Sequence, residues 1–144
     1  MVDETDWDDP EQVAAWETGQ RDTVIAYLSR QRVPNVRPAQ RPSWSIPPYV
    51  AIWRVTGQSG DNPSWWAISG DLPTDFVPAD GAPAARDAAR LFAERWRAVS
   101  AYMARGERHP TVHIGESHKA TELGPLLSQR AATLAEWASE EEYW

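Results

Sequence analysis

The sequence predicts an α+β fold: a small antiparallel sheet packed by three or four amphipathic helices, in a chain of 144 residues. Two stretches rich in β-branched and aromatic residues, 49–56 and 64–70, flank a seven-residue run dense in turn formers, Gly57 to Pro63, which reads as an antiparallel hairpin. Three longer stretches repeat apolar residues at helical spacing. The length suits one domain, residues 1–144, with a core large enough to need no metal or disulfide. The acidic ends, 1–11 and 136–144, are candidates for flexibility.

In chain order, Asp9-Pro10-Glu11-Gln12 reads as an N-cap, a proline at the first helical position and a glutamine placed for a capping box. Val13, Trp16, Val24, Tyr27 and Leu28 carry that helix toward Arg32, with Gly19 as a kink or a break, and Val33-Pro34 ends it. Pro34, Pro38, Pro42, Pro47 and Pro48 predict a wrapping loop without regular structure over 34–48. In the hairpin, Tyr49, Ala51, Trp53 and Val55 alternate with Val50, Ile52, Arg54 and Thr56; both faces are largely apolar, which argues for a central layer. Asp80 to Gly106 is the clearest helix, with Pro83 in its first turn and Gly106 as the C-terminal glycine. Thr111 to Ile114 alternates like a short third strand, and Thr121 to Ser139 forms the last helix.

The net charge of −7 is unevenly placed. Residues 1–11 hold six carboxylates and residues 136–144 hold four, with no base in either, so the body between them is mildly basic. No basic cluster is interleaved with aromatics, and an acidic chain is repelled by a polyphosphate, so no nucleic-acid partner is expected. Cysteine is absent, which removes disulfides, thiol nucleophiles and cysteine-ligated zinc. The start is acidic where a secretory signal would be basic and then apolar, and the longest apolar runs, Val24 to Leu28 and Tyr49 to Trp53, are far too short to span a bilayer. A cytoplasmic address without a membrane partner is the expectation.

Candidate chemistry is sparse. Asp71 and Asp75 lie just past the second hairpin strand, where a rigid scaffold often carries function, and four residues apart they could act as a metal pair or as acid and base. The alternative is that Gly70-Asp71 closes the strand while Asp75 caps a turn. His109, His113 and His118 fall within ten residues. Pro110 makes their segment extended, which would hold His109 and His113 about 13 Å apart, too far for one ion. No metal or cofactor is therefore assigned. No nucleophile elbow, phosphate-cradling loop or dinucleotide fingerprint is present, so an enzyme rests on Asp71, Asp75, His109 and Arg95 alone. Nine tryptophans are the strongest anomaly. Trp65 and Trp66 are adjacent, so they point to opposite sides of a strand and one could offer a stacking platform; Trp7 and Trp144 lie in the acidic ends as candidate partner-seeking aromatics or as residues docked back on the domain.

Trp65-Trp66-x-Ile68-x-Gly70-Asp71-Leu72-Pro73-Thr74-Asp75, Phe92-x-Glu94-Arg95-Trp96-Arg97, Tyr102-Met103-x-Arg105-Gly106-Glu107 and His109-Pro110-Thr111 together resemble a bacterial domain-of-unknown-function family of about this length. The resemblance covers nearly the whole chain and implies no activity. The leading expectation is a non-enzymatic module that engages a protein partner through its acidic ends and exposed aromatics, as an immunity or antitoxin-like protein would. The rivals are a hydrolase working through Asp71 and Asp75, and a small-molecule or carbohydrate binder using Trp65 or Trp66.

Overall fold

In the computed structural model the protein is α+β, with three helices and one antiparallel sheet in the order α1 (Pro10–Arg30), β1 (Val36–Pro38), β2 (Trp44–Ile46), β3 (Val50–Gly57), β4 (Trp65–Gly70), β5 (Asp75–Pro78), α2 (Ala85–Ala104) and α3 (Ala120–Ser139), then a 3₁₀ turn at Glu141–Tyr143. The structure describes residues 5–33, 35–57, 64–112, 114 and 120–144. Two compact units, Met1–Ala85 and Arg86–Trp144, are described in turn.

In the first unit Asp9 caps α1, its side chain accepting from the Glu11 N–H at 2.9 Å. Gln12 bonds Asp9 Oδ2 and, through Oε1, accepts from the Asp6 N–H, so the expected box closes one turn further out. α1 runs unbroken through Gly19, against the expected kink: no neighbour crowds that position, and a solvent-facing glycine costs a helix only about 1 kcal/mol. Its buried residues are Glu17, Val24 and Leu28.

The sheet order is β1-β3-β4-β5, with β2 also pairing β3. The expected hairpin is its centre, β3 against β4, with Ile52 opposite Ile68 and Val55 opposite Trp65. The loop expected over 57–63 falls largely outside the described residues. The wrapping-loop expectation for 34–48 is corrected: β1 pairs Val36 with Gly57, and β2 pairs Trp44 with Ile52, so this stretch is an edge strand in two pieces. Ala39 to Ser43 bulges out between the pieces, anchored where Ala39 N–H donates to Arg54 O and Ser43 N–H to Ile52 O. Prolines are tolerated on an edge, at strand ends and in such an excursion, which is why they mislead a sequence reading. Ala51, Trp53, Val55 and Ala67 bury one sheet face with Val24 and Leu28 of α1, joined by Trp16, Tyr27, Trp65 and Phe76. Val50, Ile52 and Ile68 are equally buried.

A further correction concerns the stretch after β4. Asp75 opens a strand opposite Ile68, instead of capping a turn. The helix expected from Asp80 begins only at Ala85, because Gly81 takes φ +78° and the Ala82 N–H closes a turn on Ala79 O.

In the second unit α2 buries Ala88, Ala89, Phe92, Ala93, Trp96, Val99, Ser100 and Met103 along one face. Gly106 caps its C-terminal end, as the sequence predicts. With φ +72°, Gly106 donates to Met103 O and Glu107 to Tyr102 O, a Schellman arrangement. α3 returns antiparallel: Gly124 lies against Ala104 and Met103 at the end of α2, and Arg86 Nε at its start donates to Ala138 O at 2.7 Å. Leu127, Ala131, Leu134 and Ala138 form the buried stripe of α3. The expected strand at 111–114 is corrected at Thr111, Val112 and Ile114, which are not in a strand, while His113 lies outside the described residues. His109 Nδ1 accepts from the N–H groups of Thr111 and Val112, both at 3.1 Å, and this curls the chain into a turn.

Candidate functional site

Asp71 and Asp75 meet different environments. Gly70 adopts φ +134° with its Cα against the Tyr49 carbonyl, and the Asp71 N–H donates to that carbonyl at 2.9 Å. The Asp71 side chain is exposed. Asp75 is 2% exposed; its Oδ1 accepts from the Phe76 N–H at 2.8 Å and lies 3.5 Å from the Tyr27 hydroxyl. One carboxylate is therefore at the surface and the other tied into the start of β5. His109 and Arg95 belong to the second unit, both half-buried. His109 spends Nδ1 on the turn and packs edge-on against Tyr102 at 5.1 Å. His113 and His118 lie outside the described residues. Among the described residues no group of three or more His, Asp or Glu is placed to hold a metal ion.

The tryptophans proposed for binding are anchored. Trp66 is 4% exposed, donates from Nε1 to Ala82 O at 2.7 Å, and lies beneath the Arg54 guanidinium at 4.9 Å. Trp65 is half-buried, edge-on to Phe76 at 5.2 Å. Its Nε1 is buried with no hydrogen-bond partner among the described residues, as is Gln20 Oε1. Trp7 packs edge-on against Trp16 at 6.0 Å. Trp144 donates from Nε1 to Trp137 O at 2.8 Å. Of the two alternatives open for Trp7 and Trp144, docking back is the one adopted, each against its own unit.

Two features of the second unit went unread in the sequence. The first is a groove of about 550 Å³ between α2 and α3, floored by Ala93, Ala131, Ala132 and Ala135 and flanked by Arg90, Glu94 and Arg97. The sequence signal was present: Arg90, Glu94 and Arg97 recur at the three-to-four-residue spacing of one helix face, opposite an alanine-rich stretch of α3. The second is the ordered acidic end. Docking of Trp144 on Trp137 folds Glu140 and Glu142 back beside Glu136, with Glu141 in the turn between them. Hydrogen bonding with Glu142, then partial burial and the negative charges of Glu142 and Glu136, raise the Glu140 carboxyl above the ordinary range. Burial, then the charges of Glu142, Glu140 and Glu136, raise the Tyr143 hydroxyl. None of these four carboxylates forms an ion pair among the described residues. Tyr143, 38% exposed, stands among them.

A charged pair lies elsewhere, on the first unit. Glu17, buried at 5%, receives Arg41 in a two-bond fork at 3.0 and 3.2 Å, and Arg21 donates to Pro38 O and Ala39 O, so the excursion between β1 and β2 is held on α1. The bonded, charged Glu17 raises the Arg41 guanidinium further above its usual value. This is a structural clamp.

Among the described residues no helix is long and apolar enough to cross a membrane. No curated protein and no solved structure matches the chain. Residues 10–144 match the model of a family described as a domain of unknown function, DUF4826.

Proposed function

We propose that this chain, which belongs to the DUF4826 family, is a non-enzymatic protein-interaction module of the bacterial cytoplasm whose acidic C-terminal end engages a basic protein. The observation that carries the reading is the crowding of Glu136, Glu140 and Glu142 around an exposed Tyr143, with no ion pair to any of the three carboxylates among the described residues. Like charges held together raise the free energy of the unbound protein, and a cationic partner removes that penalty when it docks. The aromatic ring amid the carboxylates supplies the apolar contact that charge alone lacks. An inhibitor of a basic toxin, of the immunity or antitoxin kind, fits this chemistry, since steering by opposite charge speeds its association. The structural employment of Asp75, His109 and Trp66 supports this reading over a hydrolase or a sugar binder.

Affinity capture from the native lysate tests it. The wild type should retain one stoichiometric basic protein that elutes with salt, and the Glu140→Gln, Glu141→Gln, Glu142→Gln triple variant should lose it. Retention by the triple variant, or no stoichiometric partner at all, overturns the reading. Because the partner favours the charged form, its binding should release protons and strengthen as pH rises from the ordinary Glu range through the raised Glu140 value.

A further inference from the structure

We infer that the exposed face of α2 is a self-complementary dimer interface, in which the α2 helix of a second copy lies antiparallel in the groove between α2 and α3. This goes beyond the function proposed above and concerns α2 alone. The buried face of α2, from Ala88 to Met103, leaves Asp87, Arg90, Leu91, Glu94, Arg97, Ala98 and Ala101 on the opposite side. The charge order along that side is acid, base, acid, base. Turned end over end about position 92, it reads as its own complement. Arg90 meets Glu94 of the second copy, Glu94 meets its Arg90, Asp87 meets its Arg97, and Arg97 meets its Asp87. Such reciprocity is what a twofold interface requires.

The apolar elements obey the same operation. Leu91, 36% exposed, comes level with Ala93 of the second copy, which is part of the groove floor. The floor of Ala93, Ala131, Ala132 and Ala135, with Ala98 and Ala101 on the approaching face, lets helix axes come as close as about 8 Å. Arg90 reaches Asp87 only at 3.5 Å, with half its side chain exposed, and neither Glu94 nor Arg97 forms an ion pair among the described residues. Exposed ion pairs contribute little energy, so the charges set register and orientation while the leucine and alanines supply affinity.

Sedimentation velocity of the full chain, from about 1 to about 200 μM, the range suited to an interface at the small end of the size classes, tests this. The wild type should shift from monomer to dimer within that range. Arg90→Glu sets a carboxylate against Glu94 of the second copy in both symmetry-related pairs, and Glu94→Arg sets a guanidinium against Arg90 in both, so each variant alone should stay monomeric. An equimolar mixture restores both pairings across the twofold axis and should sediment as a heterodimer. The double variant R90E/E94R should dimerise by itself. Helical circular dichroism equal to wild type certifies each variant as folded, and the same exchange made at Asp87 and Arg97 gives a second, independent pair. A wild type that is monomeric throughout, single variants that still dimerise, or a mixture that stays monomeric would each overturn the inference.

Discussion

In the sheet unit several buried polar groups are matched over short distances, Trp65 Nε1 and Gln20 Oε1 excepted: Trp53 Nε1 with the buried Ser69 hydroxyl at 3.1 Å, Trp66 Nε1 with Ala82 O, Glu17 with Arg41. In the helical unit several charged groups face outward: Arg97 and Glu94 border a groove, and Glu136, Glu140 and Glu142 crowd one end. A group satisfied inside the fold stabilises it and is withdrawn from recognition. A group left in solvent contributes almost nothing to folding and remains available. On the function proposed above, the first unit's polar groups serve stability and the second's are the ones left for recognition.

The largest expected effect that would break this contrast is in the sheet unit. Trp53→Ala, which empties a fully buried indole site and orphans Ser69, should cost about 4 kcal/mol in denaturant unfolding. Gly70→Ala should cost roughly 3 kcal/mol by the same measurement, because its Cβ would meet Tyr49 O and its φ of +134° is strained for any side chain. Arg41→Ala should destabilise measurably although Arg41 is largely in solvent, since it leaves Glu17 buried without a partner. Gln20→Leu removes an orphaned buried oxygen and should stabilise by about 1 kcal/mol. The smallest effects belong to the helical unit. Arg97→Ser should change unfolding by no more than about 0.5 kcal/mol while weakening the dimer. For Glu140 the sign follows from its raised carboxyl: the folded state holds the proton more tightly than the unfolded chain, so stability is favoured at low pH and lost as pH rises through the raised value. Glu140→Gln should flatten that slope, as read from unfolding midpoints between about pH 4 and pH 7.

The hairpin and the three helices were legible because their signals are local. Trp53 and Trp66 sit on a period of two, Phe92, Trp96 and Met103 on helical spacing, and both are set by backbone geometry alone. β1, β2 and β5 were not, because strands of three or four residues are defined by what pairs with them; Pro38 beside Val55 is intelligible only once β3 is in place. Asp75 as a strand residue was hidden for the same reason. Glu17 recurs with Val24 and Leu28 on the seven-and-four spacing of a buried stripe, a signal that its charge masked. The roles of His109 and Trp144 depend on backbone atoms two and seven residues away, which residue types do not reveal. The α2 face was open to the eye as a charge sequence, yet its symmetry has meaning only on a helix known to expose that side.

The divided edge strand has one more consequence. An uninterrupted outer strand is a template on which another chain can stack, and a protein with nine tryptophans would be hazardous if it offered one. Here one border of the sheet is broken into two three-residue pieces, with Pro38 closing the first and Pro42 in the gap, and the other border is a four-residue strand ending in Pro78. Neither border gives an incoming strand more than a few consecutive hydrogen bonds. Both borders thus disfavour fibril growth and strand exchange, so that this aromatic-rich chain can be concentrated with less risk of its sheets fusing.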